Sequence, residues 1–469
     1  MAERHLGLRP GDSVEALIER VVPGGEGLAR IGGVVVLVPG GLPGDRVRVR
    51  VTEASPRLVR GTLAEVIVPG EARRPGAELC PRARDASCGG CDWPAARLEH
   101  HRALKTSLVL DAFRRIAGLR PEELPEPGWR GSARNYRLRN RLHLDRDGRL
   151  GFFAPRSNVV ANLDVCEIVS KALLERLPAL REHLRSLGSC EGELLTLEDR
   201  EGRTLLGELR LSEGHGLQIS LMVKERGRGP FDGFRVVDAG GRVLLSDGPD
   251  SLSIVAGAAS FEVSVSSFFQ GNLYLLDAFL EEIRAALRIG REDFPRREEG
   301  RSPSHAFRAV DLYAGVGFMT RPLLELAAEA TGAAGCAVEV TAVELETTSS
   351  HSLSKNLLSW SSSGLPRARA VRASAESFLS SLSSQKSSLP LSVLLADPPR
   401  AGLSPDVRKG ILRLAPRHLL MVSCDPPTLA RDLAILKERY AVERLTLLDL
   451  FPQTHHVETI ALLTRRKVG

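Results

Sequence analysis

One cysteine stands at a turn where its thiol could do chemistry. In LLMVSCDPPTLARDL (residues 419–433), an apolar segment delivers Cys424 into an Asp-Pro-Pro turn, and a helix with Thr428 as its predicted N-cap follows. The simplest interpretation is a structural cysteine, because free cysteines are usually buried as small hydrophobic residues. A position near a helix N-terminus, however, favours the thiolate, which is the nucleophilic form. Cys424 is therefore a candidate nucleophile.

Two acidic residues lie at the ends of nearby apolar segments. VLLADPPRAGLSP (393–405) carries Asp397 into a Pro-Pro turn at the predicted carboxyl end of a strand, where ligands bind in open α/β sheets. Glu458 begins the last apolar segment, HVETIALL. A strand-end acid is often only solvated, but Glu458 is a better catalytic candidate than the neighbouring His455 and His456. Those two lack the spacing typical of paired metal ligands.

A glycine turn precedes these residues in the chain. In AVDLYAGVGFMTRPLL (309–324), a predicted strand is followed by Gly315, Gly317 and a helix, and the next strand ends at Glu344. An ordinary tight turn is one interpretation. Glycines that let a cofactor approach the backbone, with an acid that holds ribose hydroxyls, are the other. Because the third glycine of the dinucleotide fingerprint is absent, an adenosyl cofactor without a pyrophosphate fits better, and S-adenosylmethionine is the natural candidate.

Four cysteines earlier in the chain could hold a metal centre. LCPRARDASCGGCDW contains Cys80, Cys88 and Cys91, and Cys166 follows in LDVCEIV. One C-x2-C pair with two outlying cysteines lacks the paired halves of a zinc ribbon. Four thiolates at uneven spacing are more typical of an iron–sulfur cluster, so we favour iron–sulfur over zinc.

The elements that must position these residues fall into three regions. Residues 8–70 contain short β-rich segments divided by Gly and Pro, which predicts a five-stranded OB-like barrel. The central region is predicted to be α+β, with strands that include NRLHLD, LGFFAP, LLGELRL and LQISLMV. Beyond it, the pattern of strand, glycine turn and helix repeats as a doubly wound parallel sheet requires. We place the domains at 1–72, 73–265 and 266–469, with a helical segment at 94–118 that packs on the third.

Composition indicates a polyanionic partner. The 469 residues carry 64 Lys and Arg against 58 Asp and Glu, a net charge of +6, and the pI is about 9.1. Between Arg130 and Arg149, seven arginines accompany two aspartates, with Tyr136 and His143 among them. A solvated arginine-rich strand pair is one interpretation, and RNA or DNA binding is the one we favour. We find no secretory signal and no apolar stretch long enough to span a bilayer, so we expect a cytoplasmic protein.

Taken together, these motifs resemble the RNA uridine-5-methyltransferase family, in its branch with an N-terminal TRAM domain and an iron–sulfur cluster. SSFFQGN (266–272) is similar to the family's F-F-Q-x-N motif, and DLYAGVG, DPPRAG, SCDPPTLARDL and HHVET follow in the family's order. Members most similar in build act on 23S rRNA. The resemblance covers nearly the whole chain. It implies a TRAM barrel, a central α+β iron–sulfur domain and a C-terminal Rossmann-like methyltransferase domain.

The resemblance also implies roles for individual residues. Cys424 corresponds to the nucleophile that adds to C6 of uracil, Glu458 to the base that removes the C5 proton, and Asp397 to a residue that faces the uracil. It implies an S-adenosylmethionine site formed by Gln270, Tyr313, Gly315, Gly317, Glu344 and Asp397. It also implies a 4Fe-4S cluster whose ligands are Cys80, Cys88, Cys91 and Cys166. The chain departs from the family's pattern in its C-x7-C spacing, at Asp425 where asparagine is common, at Ser374 in place of an aspartate, and at Phe318 in place of an asparagine.

Three alternatives stay open at this point. The substrate could be tRNA instead of 23S rRNA, with the same chemistry. The chain could be an RNA-binding protein on an inactive methyltransferase scaffold, although it retains both Cys424 and Glu458. A radical methylthiotransferase also combines TRAM with iron–sulfur, but its C-x3-C-x2-C ligand set is absent. We expect a monomer that binds RNA and no membrane.

Overall fold

The computed structural model describes residues 7–212, 216–289, 306–334, 337–384 and 390–467, and its first element is a curved six-stranded sheet. The strands run in the order β1-β5-β6-β4-β3-β2. Glu19 N–H, just after β1, donates to the Leu28 carbonyl of β3 at 2.8 Å, which closes the sheet on itself. The bounds are β1 (Ser13–Leu17), β2 (Arg20–Val21), β3 (Gly27–Ile31), β4 (Val34–Val38), β5 (Arg46–Ala54) and β6 (Leu58–Val68).

Alternating residues explain why this region folds as a barrel. In β5, Val47, Val49 and Val51 are buried between exposed arginines, so one face fills the interior and the other carries positive charge. The barrel predicted from sequence is present, with one two-residue strand more than the five that we expected.

The next segment crosses towards the C-terminal sheet. It contains α1 (Pro81–Arg84), α2 (His101–Ala112) and β7 (Gly128–Arg130). Val109 and Ala112 of α2 lie in the same buried core as the C-terminal sheet, and β7 is an edge strand of that sheet. Helix α2, in the segment 94–118, thus contributes to the core of the C-terminal sheet.

A seven-stranded sheet forms the central region, in the order β10-β9-β8-β11-β12-β13-β14. Two helices pack on the face that carries Leu142, Leu194 and Leu209. The bounds are β8 (Arg139–Leu144), β9 (Leu150–Phe153), β10 (Val160–Asn162), α3 (Lys171–Ser186), β11 (Gly192–Glu198), β12 (Leu205–Leu211), α4 (Gly216–Arg226), β13 (Gly233–Val237) and β14 (Val243–Asp247).

One strand prediction in this region is wrong. LQISLMV lies in the helix α4, not in a strand. Its buried residues Ile219, Ser220 and Val223 share one side at helical spacing, while Leu221 is exposed. Over seven residues, apolar alternation matches both a strand and one face of a helix, and packing decides between them.

A two-stranded hairpin, β15 (Ser251–Ala256) and β16 (Ala259–Ser264), follows the central sheet. Its Ile254 and Phe261 are buried in one core with Phe279 and Phe318 of the C-terminal region. The boundary predicted at residue 265 therefore passes between elements that share a hydrophobic core.

The C-terminal sheet is doubly wound, as predicted, in the order β19-β18-β17-β20-β21-β23-β22-β7. Helices pack on both of its faces, which explains the nearly continuous burial of its strands. The bounds are α5 (Leu276–Ile289), β17 (Ala306–Leu312), α6 (Thr320–Ala334), β18 (Ala337–Glu344), α7 (Thr347–Ser362), β19 (Ala368–Arg372), α8 (Ala375–Ser384), β20 (Val393–Ala396), α9 (Pro405–Leu414), β21 (His418–Ser423), α10 (Pro426–Leu436), β22 (Tyr440–Leu448) and β23 (Glu458–Arg465).

The strand order reverses between β17 and β20, and β23 runs antiparallel to β21. An antiparallel strand begins where its parallel neighbours end, so the first residue of β23 lies at the edge where β17, β20 and β21 finish. In the described part of the chain, no helix is long and apolar enough to cross a membrane.

Candidate active site

The sheet brings the candidate residues to one edge. Leu312 pairs with Val343 and Ala396, which places Tyr313, Glu344 and Asp397 just beyond the ends of three adjacent strands. Ser423 pairs with Thr459, so Cys424 and Glu458 flank the next pairing position along the same edge. Ligands bind in doubly wound folds at this edge, where the strand order reverses.

The Cys424 thiol is half-buried and sits among charged groups. Burial, and after it the charges of Glu458 and Asp397, raise the pKa of Cys424 to about 12, although the Arg400 guanidinium acts to lower it. The resting site therefore favours the thiol, not the thiolate that its place before a helix led us to expect. Helix α10 is capped by Asp425 and not by Thr428, because Asp425 Oδ1 accepts the Thr428 N–H at 2.9 Å. Pro426 and Pro427 have no N–H, and the Asp425 carboxylate takes the N–H of Thr428, so this turn offers a thiolate little stabilisation. An asparagine, common at this position in the family, caps equally well.

Glu458 and Asp397 are two carboxyl groups whose pKa values are both raised. Burial raises the pKa of Asp397 to about 8, and the charge of Asp311 adds to the shift. Burial also raises the pKa of Glu458 well above its ordinary value, with Asp397 as the second cause. Such groups hold a proton near neutral pH and are strong bases once they lose it.

Sequence reasoning did not assign two residues that belong to this environment. Asp311 is fully buried at the end of β17, accepts a hydrogen bond from the Thr320 hydroxyl, and has a pKa raised by burial to about 7. Arg400 is exposed, and its Nη2 lies 3.2 Å from His456 Nε2. Asp311 lies in the DLYAGVG motif and Arg400 in the DPPRAG motif. Their closeness to the predicted strand ends was the feature of the sequence that could have identified them.

The adjacent residues His455 and His456 each contact another side chain, Asp92 and Arg400 respectively. Asp92 Oδ2 lies 2.7 Å from His455 Nδ1, and one ligand atom from each of Asp92, His455 and His456 lies within 4.8 Å of the others. A cation held there would face the Arg400 guanidinium, which already contacts His456. This arrangement favours a hydrogen-bonded pair over a metal site, in line with the sequence interpretation.

The glycine turn and Glu344 are joined by hydrogen bonds. Glu344 Oε2 accepts the Gly315 N–H at 2.8 Å, and its Oε1 accepts the Glu346 N–H at 2.7 Å. Gly315 has φ +56° and nothing within 4 Å of the position of a Cβ, so the backbone is open to a ligand there. Gly317 is different: a Cβ would lie 2.9 Å from Leu353. Packing against α7 explains why that residue is glycine.

The remaining predicted cofactor residues lie at the same part of the sheet or in the segment before α5. Tyr313 is half-buried with φ +62°, and burial raises its pKa to about 12. Gln270 is buried, and the segment around it is held from two sides. Leu138 N–H donates to the Gly271 carbonyl at 3.1 Å, and Asn272 Nδ2 donates to the Leu450 carbonyl at 2.9 Å.

Two departures from the family's pattern have structural explanations. Phe318 is buried in an aromatic cluster, with ring centroids 5.4 Å from Phe261 and 5.5 Å from Phe269 and Phe279. It therefore contributes to the core. Ser374 caps α8, because its Oγ accepts the Ser377 N–H at 3.2 Å, a function that an aspartate also performs.

The four cysteines predicted to hold a cluster converge in the structure. All are free and half-buried. Burial raises the pKa of Cys91, and the nearby thiols of Cys166, Cys88 and Cys80 raise it further, while Arg137 lowers it. Among the described residues, the buried Nε of Arg137 has no hydrogen-bond partner. Four convergent sulfurs beside an unpaired cationic N–H fit an anionic iron–sulfur cluster.

Comparisons with known proteins agree with this architecture. Residues 310–466 match the model of the tRNA (uracil-5-)-methyltransferase family, and residues 8–64 match the TRAM domain. An uncharacterized RNA methyltransferase of Thermosynechococcus vestitus is 30% identical over 97% of this chain and 98% of its own. The 23S rRNA (uracil(1939)-C(5))-methyltransferase of Shewanella sp. strain ANA-3 is 29% identical over 94% of each chain.

A solved structure has the same fold. The tRNA (uracil-54, C5)-methyltransferase of Pyrococcus abyssi, in complex with S-adenosyl-L-homocysteine, superimposes with a TM-score of 0.68. The match covers 96% of this chain and 100% of that one at 20% identity. The fold, the site at the edge where the strand order reverses and the two family matches thus define a methyltransferase with an N-terminal TRAM domain. Its sequence relatives make the assignment narrower: the chain belongs to the RNA (uracil-5-)-methyltransferase family.

Proposed function

We propose that this protein methylates C5 of a uridine in RNA, with Cys424 as the nucleophile and Glu458 as the base. The observation that carries the proposal is the meeting of Cys424, Asp397 and Glu458 at the edge where the strand order reverses, beside the open backbone at Gly315. Membership of the family supports the activity. The geometry supports the assignment of residues.

The chemistry requires these residue types. C5 of uracil is a weak nucleophile, and a thiolate that adds to C6 converts the ring into an enolate whose C5 can attack a methyl group. S-adenosylmethionine, when bound, supplies that methyl. A base must then take the C5 proton, so that the C5–C6 double bond forms again and the Cys424 sulfur leaves as thiolate. Glu458 is suited to the step because its raised pKa makes it a strong proton acceptor.

The cofactor site that we propose uses residues along the same edge. Glu344 contacts the glycine turn through one carboxylate oxygen, and its carboxylate is the group that would hold the ribose hydroxyls. Gln270, Tyr313 and Asp397 complete it by correspondence with the family. Gly317 supports the site indirectly, since it allows α7 to pack against the turn.

The RNA substrate that we propose is 23S rRNA, with tRNA as the second candidate. The rRNA proposal rests on full-length sequence relatives named for that substrate. The tRNA candidate rests on the archaeal structure with the same fold. In either RNA the target base has to leave its stack to reach the edge of the sheet.

Covalent trapping tests the reaction and the substrate together. Because fluorine at C5 leaves no proton to remove, a 5-fluorouridine RNA should accumulate as a protein adduct when S-adenosylmethionine is present. We expect a band that survives denaturing electrophoresis with a 23S rRNA fragment, and its absence in Cys424→Ala. An adduct only with a tRNA transcript would reassign the substrate. If neither RNA gave an adduct, thiolate addition would be wrong.

We also propose that Cys80, Cys88, Cys91 and Cys166 hold a 4Fe-4S cluster with a structural role. The support is their convergence and the unpaired Arg137 N–H beside them. Protein purified without oxygen should contain about four iron and four sulfide ions per chain and absorb near 400 nm, as expected of such clusters. Cys166→Ser should lose that absorption. Stoichiometric zinc without sulfide would favour the zinc alternative.

A further inference from the structure

A buried lysine outside the candidate active site has three acceptors and no access to water. Lys105, on α2, is 0% exposed, which is rare for lysine. Its Nζ donates to Asp449 Oδ1, to the Phe451 carbonyl at 3.1 Å and to the His456 carbonyl at 2.6 Å. An ammonium group has three N–H bonds, so each one is used.

The ion pair around Lys105 is enclosed. Burial lowers the pKa of Lys105, and the charge of Asp449 opposes that shift. Burial acts to raise the pKa of Asp449, but Lys105 and His101 outweigh it and hold the pKa low. His101 Nδ1 lies 2.8 Å from the second oxygen of Asp449. A buried pair of this kind is costly to break, because the partner that remains is an uncompensated charge.

All the acceptors of Lys105 belong to the loop between β22 and β23, residues 449–457, which leads directly to Glu458. Other parts of the chain donate hydrogen bonds to further carbonyls of this loop. Asn272 Nδ2 donates to the Leu450 carbonyl, the Tyr136 hydroxyl to the Pro452 carbonyl at 3.3 Å, and the Trp93 backbone N–H to the Gln453 carbonyl at 2.9 Å. The loop thus takes its shape from donors outside the C-terminal sheet. Lys105 contacts both the beginning of the loop, at Asp449, and its end, at His456.

We propose that Lys105 is a positioning residue for Glu458. It fixes the His456 carbonyl two residues before Glu458 and so sets the direction from which the carboxylate meets C5. The inference rests on the proposed function, in which Glu458 removes the C5 proton. Cys424 follows β21, whose placement involves none of the Lys105 contacts. Loss of Lys105 should therefore slow proton removal while leaving thiolate addition and methyl transfer nearly unchanged.

The test compares two RNAs with Lys105→Met, whose side chain has similar length and no charge. With 5-fluorouridine RNA, which requires no proton removal, we expect trapping within about threefold of the unmodified protein. With ordinary uridine RNA we expect kcat to fall by about a hundredfold, within the range that a general base supplies, and KM for RNA to fall with it, because the steps before proton removal set kcat/KM. Methylated RNA that remains bound to protein should then accumulate on a denaturing gel. Lys105→Arg, which retains the charge and donors, should recover part of kcat.

Matched variants keep the outcomes distinct. Lys437→Met removes another half-buried lysine that donates to backbone carbonyls, those of Ala117 and Gly118, and should change neither measurement. Glu458→Gln should accumulate the same adduct as Lys105→Met. If Glu458→Gln accumulates it and Lys105→Met does not, the positioning role is overturned and the proposed function stands. If Glu458→Gln accumulates none, the proposed base is wrong.

A milder variant applies if Lys105→Met does not fold. Tyr136→Phe removes only the hydroxyl that donates to the Pro452 carbonyl in the same loop. We expect it to lower kcat on uridine RNA by several-fold and to leave fluorouridine trapping unchanged. Equal loss in both measurements would contradict the idea that the loop acts through Glu458.

Discussion

At the scale of single residues, the acidic groups of the site have raised pKa values. Cys424, Asp397 and Glu458 all have pKa values raised first by burial, and Arg400 is the cation that opposes the shift at Cys424. An apolar, enclosed edge makes proton acceptors strong but keeps the nucleophile protonated. Methylation should therefore depend on pH.

We expect the methylation rate to increase as pH rises above neutrality, because the Cys424 thiol, whose pKa is raised to about 12, is then present as the thiolate in a growing fraction. Arg400→Gln removes the charge that lowers the pKa of Cys424, so its pH–rate profile should move to higher pH. Rates of fluorouridine trapping across a pH series measure this. Arg413→Gln, on the exposed last turn of α9, is the control and should not move the profile. A profile unchanged in Arg400→Gln would contradict the assignment.

The raised pKa of Asp397 also affects stability, and here a higher pH has an unfavourable effect. The folded chain keeps a proton on Asp397 that the unfolded chain releases, so the contribution to the free energy of unfolding falls as pH rises from about 4 towards 8.

Single residues were also where sequence reasoning was weakest. A cysteine before a helix predicts a thiolate, but Pro426 and Pro427 have no N–H and the Thr428 N–H is donated to Asp425. Lys105 was not predictable, because its acceptors lie 344 to 351 residues away.

At the scale of elements, the two glycines of the DLYAGVG turn have different tasks. Gly317→Ala should lower the free energy of unfolding by about 3 kcal/mol, because it combines φ +94° with a Cβ 2.9 Å from Leu353. Gly315→Ala, with φ +56° and open space, should cost about 1 kcal/mol and instead raise KM for S-adenosylmethionine. Urea unfolding and cofactor titration of both variants check this. Equal stability losses would count against the packing role of Gly317.

Element prediction succeeded where one periodicity dominated. The alternating valines of β5 and the repeated strand–turn–helix pattern after residue 306 were sufficient for the barrel and the doubly wound sheet. It failed for α4, because LQISLMV satisfies two periods and only the core that buries Ile219 and Val223 decides between them. The hairpin β15–β16 likewise joined a core that its position in the chain does not reveal.

At the scale of the whole molecule, a buried ion pair joins the TRAM barrel to the segment that leads into the central region. Asp45 is fully buried and accepts hydrogen bonds from the Leu42 and Gly70 N–H groups, at 2.7 and 2.8 Å, and from the Arg73 guanidinium. Arg97 in turn donates to the Arg73 carbonyl at 3.1 Å. This buried carboxylate therefore helps to fix the orientation of the barrel, together with the Trp93 side chain, which donates to the Gly25 carbonyl at 2.8 Å.

Asp45→Asn retains the shape but leaves Arg73 without its counter-ion, and we expect a loss of about 3 to 5 kcal/mol in the free energy of unfolding. Affinity for RNA should fall as the barrel loses its orientation. Glu15→Gln, in an exposed pair with Arg48 at 3.3 Å, is the control and should change stability by less than about 1 kcal/mol. Urea unfolding and filter binding give the two values. A variant as stable as the control would show that the barrel is held by other contacts.

The strand order of the C-terminal sheet also constrains how the protein is made. Strand β23 lies between β21 and β22, although both precede it in the chain. Strand β22 therefore joins β21 only through β23, and the first residue of β23 is Glu458. Completing the sheet and delivering the base are consequently a single event. A partly folded chain could hold RNA on its barrel and expose Cys424, yet it would lack the residue that lets the RNA go.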